Sequence, residues 1–149
     1  MATAELIELG TMEIQLGEFI EFDGPKGKRA FVGLNEVILD TEKIKAKLLP
    51  SIASGEWATT SDNDSLDSLD VRITLETDDG EIIYIEYSGR GIRSEGLAVS
   101  APTFQTGSKK YKWLNRVQAV MAGQVDMEAG KLVYRLYEVK IKPEEGFFN

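Results

Sequence analysis

DSLDVRITLETDDGEIIYIEYSG, Asp67 to Gly89, alternates apolar and polar side chains on both sides of an Asp79-Gly80 pair. Val71, Ile73, Leu75 and Thr77 interleave with Arg72, Thr74, Glu76 and Asp78; beyond the pair, Ile83, Ile85 and Tyr87 interleave with Ile82, Tyr84 and Glu86. Period-two alternation puts successive residues on opposite faces of a strand, and Asp-Gly tolerates the positive φ of a tight turn. The stretch therefore predicts an antiparallel β-hairpin. Closing it with a two-residue Asp79-Gly80 turn pairs Asp78 with Glu81, which sets Leu75 against Tyr84, Ile73 against Glu86 and Arg72 against Tyr87. One face then carries Leu75, Ile73, Tyr84 and Glu86. Mostly apolar with a single carboxylate, that face suits the inner wall of a ligand-holding barrel.

Strand signals extend in both directions from the hairpin. Upstream, Met12, Ile14 and Leu16 alternate with Thr11, Glu13 and Gln15, Gly17 marks a bend, and Phe19 to Phe22 continues the ribbon. Asp23 to Lys28 reads as a hairpin loop; its glycine spacing and the Arg after the Lys do not fit a Walker phosphate loop. Ala30 to Leu39 reads as two short strands broken near Gly33-Leu34-Asn35. In Asp40 to Leu48, Asp40 suits a helix cap, but Ile44, Ala46 and Leu48 alternate strictly with Lys43, Lys45 and Lys47. A strand with its lysines in solvent is the favoured reading, the lysines discouraging edge-to-edge pairing. Ser61 to Ser68 is acidic but lacks the Gly and Glu of a calcium-binding EF-hand loop.

Downstream, Gly89 to Gly96 is a glycine-rich loop whose Arg90 and Arg93 are a weak anion signal, and Ala101 to Gly107 is extended. Lys109 to Asn115 interleaves lysines with Tyr111 and Trp113, a pattern also seen in single-strand nucleic-acid binders, and Leu132 to Val139 is the last strand. About eight short strands at this spacing predict a sandwich or a closed barrel, and closure hides edges more completely. An eight-stranded barrel has room inside for side chains or one small ligand. The chain reads as a single all-β domain over residues 1–149.

Composition narrows the chemistry. A chain of 149 residues is long enough to bury roughly 68–70% of its unfolded surface as one domain. With 25 acidic against 17 basic residues, the formal charge of −8 opposes a phosphate backbone, so no nucleic-acid partner is expected. There is no Cys and no His, which excludes disulfides, thiolate nucleophiles, Ser-His triads and Cys- or His-ligated metal sites. No metal or other cofactor is expected. Any catalysis falls to Asp, Glu, Lys, Arg, Tyr, Ser, Thr or Asn. No segment reaches the roughly 20 apolar residues of a spanning helix and no secretory signal is visible, so no membrane partner and a cytoplasmic address are expected.

Ser54-Gly55-Glu56-Trp57, Asp70 to Tyr84 with its Asp-Asp-Gly, Gly89, Phe104-Gln105-Thr106-Gly107, Tyr111-Lys112-Trp113-Leu114-Asn115 and Val133 to Val139 occur in this order along most of the chain. In combination they resemble a family of small bacterial and fungal proteins, domain of unknown function 3237, also called uncharacterised protein family 0311. The resemblance implies a lipocalin-like (calycin-type) antiparallel barrel with a central cavity, often as a homodimer. It assigns no general activity, although a few relatives in natural-product pathways look like cyclases or isomerases of polyketide or terpenoid intermediates. The chain departs from the family pattern at Glu56, where Asp is usual, and at Gly33-Leu34, where paired glycines are usual. Both departures bear on the cavity mouth.

Two functional readings follow. In the first, the chain is a cofactor-independent isomerase, cyclase or lyase that moves protons on a hydrophobic, oxygenated small molecule. Glu56 beside Trp57, or Glu86 on the apolar hairpin face, is the candidate acid or base, its pKa raised by desolvation. Tyr84 donates to a substrate carbonyl, Arg72 or Asn115 stabilises an enolate oxygen, and Trp57, Phe104, Trp113 and Tyr134 supply aromatic walls. Plain packing competes for each aromatic residue, a surface cross-strand pair competes for Arg72, and a register shifted by one would turn Glu86 to water. In the second reading the barrel binds or carries its ligand without turnover. A carboxyl within hydrogen-bond reach of a donor inside the cavity separates the two.

Overall fold

The computed structural model describes residues 1–148 and is nearly all β. Ten strands follow one another: β1 (Thr3–Gly24), β2 (Gly27–Thr41), β3 (Lys45–Leu48), β4 (Gly55–Ser61), β5 (Leu66–Thr77), β6 (Ile82–Ile92), β7 (Leu97–Ser100), β8 (Thr103–Gln105), β9 (Ala119–Asp126) and β10 (Lys131–Lys142). Every pairing is antiparallel. Eight of the strands close on themselves in the order β4-β2-β1-β10-β9-β7-β6-β5, with β5 returning to β4. The expected barrel is present. Short β3 bridges β2 and β5, so its exposed Lys45 and Lys47 do point to solvent, but the strand is flanked on both sides and is not an edge.

Several local expectations are corrected. β2 runs unbroken; the predicted break is a bulge, since Gln15 pairs with Glu36 and Leu16 with Leu34, leaving Asn35 over. β6 continues through Gly89 and Gly91 to Ile92, so the glycines lie within the strand and only Arg93–Glu95 forms a 3₁₀ turn. Lys112–Arg116, including Trp113 and Asn115, is a second 3₁₀ turn.

The largest correction concerns the central hairpin. Gly80 N–H donates to Thr77 O at 2.9 Å and Thr77 N–H to Glu81 O at 2.8 Å, so the loop is Asp78-Asp79-Gly80, with Gly80 at φ +85°. A turn followed by one left-handed residue is the standard three-residue hairpin. Compared with a two-residue turn it shifts the pairing by one position. Leu75 therefore pairs with Ile83, Ile73 with Ile85, Val71 with Tyr87 and Arg72 with Glu86. Ile83, Ile85 and Tyr87 turn inward and are buried, whereas Tyr84 and Glu86 turn outward with Arg72. A one-residue slip exchanges the two faces of a strand.

One end of the barrel is solid. Met12, Leu39, Ile73, Ile85, Met121 and Leu136 are each no more than 2% exposed and pack as one core with Leu114 of the second 3₁₀ turn. The turn closes that end, with half-buried Trp113 packed against the core and Lys43 Nζ 5.4 Å from its ring centre. A clasp fixes it. The Asp79 carboxylate accepts from Thr77 Oγ1 at 2.6 Å, Lys110 Nζ at 2.7 Å and the Tyr111 hydroxyl at 3.0 Å. Among the described residues no helix is long and apolar enough to cross a membrane.

Candidate active site

The other end of the barrel is hollow because small residues from separate strands meet there. Across the sheet, Asp67 pairs with Gly91, Gly91 with Ala98, Ala98 with Gly123, and Gly123 with Tyr134. Cross-strand partners share a face, so this row brings two glycines and an alanine to the inner wall at one level. Beside them lies a cavity of about 240 Å³. Its wall is chiefly apolar, with Leu16, Val32, Leu69, Val125 and Leu132 on it, and exposed Phe19, Leu97 and Met127 mark the open end. The volume falls just below the roughly 300–1,000 Å³ of pockets for drug-sized ligands, which suits a compact molecule of one or two rings.

Glu56 enters this apolar space from β4. Alternation turns Gly55 and Trp57 outward and Glu56, Ala58 and Thr60 inward, with Glu56 lying between Val32 of β2 and Val71 of β5. Burial pushes the Glu56 carboxyl up to about 7; the Asp67 carboxylate adds to the rise and the Arg93 guanidinium opposes it. Such a carboxyl exchanges a proton near neutral pH.

Two phenols lie within the field of Glu56. The Tyr134 side chain is 1% exposed and lines the cavity; burial, followed by the Glu56 charge, pushes its pKa up to about 12. Tyr87, buried in the core, is raised well above 10.0 by burial first, then by Tyr134 and Glu56. The two rings meet edge to face at 6.0 Å and 79°. Ser100 Oγ is buried beside Tyr134 but falls short of hydrogen-bond geometry and has no partner among the described residues. Both phenols stay protonated at neutral pH and can donate.

An ion pair stands at the cavity wall near the strand ends. Arg93 Nε donates to Asp67 Oδ2 at 2.8 Å and Nη2 to Asp67 Oδ1 at 3.0 Å, a two-pronged contact. Nη2 also reaches Thr60 Oγ1 at 3.2 Å and Glu21 Oε2 at 3.4 Å, while Thr60 Oγ1 donates to Asp67 Oδ1 at 2.7 Å. The Phe19 ring centre lies 5.9 Å from the guanidinium carbon. Lys28 Nζ braces Glu21 at 3.1 Å and Asp64 at 3.0 Å.

Of the candidate catalytic and aromatic-wall residues named from the sequence, Glu56 and Tyr134 line the cavity. The others do not. Tyr84 donates to Glu86 Oε2 at 3.0 Å, but on the barrel exterior and not inside the cavity. Arg72 lies on the same outer face, 3.7 Å from Asp70 and 5.5 Å from the ring centre of Trp57. Trp57 is outward because inward Glu56 precedes it. Phe104 is buried in the solid core. Asn115 ties down a loop, accepting from Thr106 N at 2.9 Å and donating to Thr106 O at 3.0 Å. Trp113 belongs to the closing turn. Sequence reasoning did not assign Asp67, Tyr87 or Ser100 to the site and gave Arg93 only a weak anion signal. Among the described residues no group of three or more Asp or Glu is arranged to hold a metal ion.

Comparison with known proteins follows the fold closely. A β-barrel-like protein from Acinetobacter baumannii AYE superposes with a TM-score of 0.80 at 23% identity, over 93% of this chain and 97% of that one. A conserved protein of unknown function from Rhodopseudomonas palustris gives 0.81 at 21% identity, over 93% and 99%. An enzyme from Penicillium herquei gives 0.66 at 21% identity, over 92% and 95%. No curated protein sequence matches the chain. The family described as "Protein of unknown function (DUF3237)" matches residues 4–139.

Proposed function

We propose, from the premise that the chain belongs to the DUF3237 family, that it is a proton-transfer enzyme for a compact, hydrophobic, oxygenated small molecule held inside the barrel. One observation carries this reading: Glu56 projects a carboxyl into a chiefly apolar cavity whose other charged groups, Asp67 and Arg93, are paired with each other, and its pKa is raised to about 7. As a carboxylate it takes a proton from a carbon next to a substrate carbonyl. The carbon–hydrogen pair of electrons becomes an enolate, Glu56 becomes a carboxylic acid, and the proton returns to the same or another carbon. Tyr134, which also lines the cavity, donates to the developing oxyanion in this reading. This sequence of steps is an isomerisation, and with an internal electrophile it becomes a cyclisation. An enzyme among the structural neighbours is consistent with that chemistry but does not define it.

The test uses 2-tetralone, a two-ring ketone with exchangeable protons beside its carbonyl, in D₂O. Protein-dependent deuterium uptake that rises with pH through about 7 and is lost in Glu56→Gln is expected. Uptake equal in wild type and Glu56→Gln would remove Glu56 as the base. The largely apolar wall equally suits carriage without turnover. That alternative is favoured if native mass spectrometry of protein from its own cells shows a retained, unaltered ligand and no exchange is catalysed. A cytoplasmic address and a homodimer accompany the proposal as expectations, checked by cell fractionation and sedimentation.

A further inference from the structure

Arg93 carries a positive charge at the wall of the cavity, yet its surroundings have already neutralised it. Asp67 grips Nε and Nη2 together, and Glu21 and Thr60 lie on Nη2. Nη1 donates to no oxygen of the described residues. These partners and the nearby Phe19 ring hold the guanidinium, and its Nη1 donor pair is left unspent on a partly exposed side chain that lines the cavity. A planar group clamped in this way loses little freedom when it binds one more oxygen.

The charges nearby decide what kind of oxygen. Arg93 and Lys28 face Asp67, Glu21 and Asp64, with Glu56 farther inside, and the whole chain carries −8. A carboxylate or phosphate would gain Arg93 but meet Asp67 and, when ionised, Glu56 in a partly enclosed space, where like charges repel more than in open water. A ketone or phenol accepts the same hydrogen bond without that repulsion. We propose that Arg93 is the ligand-binding residue for an uncharged carbonyl or phenol oxygen, and that the cavity selects neutral one- or two-ring ketones and phenols over their carboxylate analogues. This inference rests on the cavity being a ligand site, as in the proposed function, but not on turnover.

Three probes of similar shape separate the possibilities: 2-tetralone (neutral oxygen), tetralin (no oxygen) and 2-naphthoate (anionic oxygen), each titrated against the full chain by NMR at pH 8. Tetralone is expected to bind about tenfold tighter than tetralin, a hydrogen bond to a charged donor being worth roughly 1.5 kcal/mol, a factor of ten. Naphthoate is expected to be at least tenfold weaker than tetralone at pH 8 and to recover part of the loss at pH 6. In Arg93→Gln the affinity for tetralone falls to that for tetralin while tetralin is unaffected. If that variant does not fold, Arg93→Lys and the wild-type probe series carry the test. Naphthoate binding best, tetralin matching tetralone, or none of the three binding at millimolar concentration would each overturn the inference. Tetralone that binds through Arg93 without deuterium uptake would instead sink the acid-base reading and leave this one standing.

Discussion

Gly123 lies directly opposite Tyr134 in the β9–β10 ladder, and a Cβ on Gly123 would come within 2.5 Å of the Tyr134 ring. The ring therefore lies over the glycine. Gly123 has ordinary strand dihedrals, so Gly123→Ala adds a clash and no backbone strain. Forcing a ring out of a packed position costs about 1–3 kcal/mol, and the ring's way out is toward the cavity. Urea denaturation is expected to show a loss of that order together with weaker binding of 2-tetralone. Adding Tyr134→Leu to Gly123→Ala should recover stability, because the clash disappears with the ring.

Glu56 makes folding less favourable as it ionises. Its folded pKa is raised to about 7 from 4.5. Between those values the native state holds a proton that the unfolded chain has released, so stability falls as pH rises through the window. The stabilising contribution is complete below about pH 4.5 and lost above about pH 7. With 1.36 kcal/mol per unit, Glu56→Gln is expected to stabilise the protein by roughly 3 kcal/mol at pH 8 and to change little at pH 4. Equal stability of the two proteins at both pH values would show that Glu56 is solvated.

The outer trio of Tyr84, Glu86 and Arg72 is expected to be silent toward ligand. Glu86→Gln and Arg72→Gln alter an exposed hydrogen bond and an exposed cation over Trp57. Surface changes of this kind are generally within about 0.5 kcal/mol. Both variants should bind 2-tetralone and exchange its protons as the wild type does, in contrast to Glu56→Gln. A tenfold effect from either would move the site to the exterior.

Asp79 joins the central hairpin to the closing turn. Lys110, then Thr77, then Tyr111 hold its carboxylate well below the usual range. A depressed folded pKa contributes stability above the unfolded value near 3.9, and that stability is lost progressively as pH falls below it. Asp79→Asn is expected to lower Tm at pH 7, with the difference constant down to about pH 5 and narrowing in more acid solution. Calorimetric scans at pH 7 and pH 3 check this, and a gap that widens in acid would contradict the clasp.

The alternation in Asp67 to Gly89, Met12 to Leu16 and Leu132 to Val139 determined that the chain is a set of antiparallel strands, because a period of two has one local solution. Absence of His and Cys confined the chemistry to carboxylates, phenols, hydroxyls, amides, amines and guanidinium groups. Glu56 was legible as a candidate from its place beside Trp57; which of the two faces inward was not. Only the tertiary structure decided that, and it decided against Glu86 through one extra turn residue, Asp78, which joins Asp79 and the left-handed Gly80 in the loop and moves the register by one. The cavity lay further from local reading still. Gly91, Ala98 and Gly123 are unremarkable on their own strands and make a hollow only when two ladders align them. Asp67 and Arg93 likewise meet only once β5 and β6 have paired. Periodicity fixes what each strand presents, but space and charge inside a barrel depend on how the strands are registered against one another, and that is settled by closure of the whole ring.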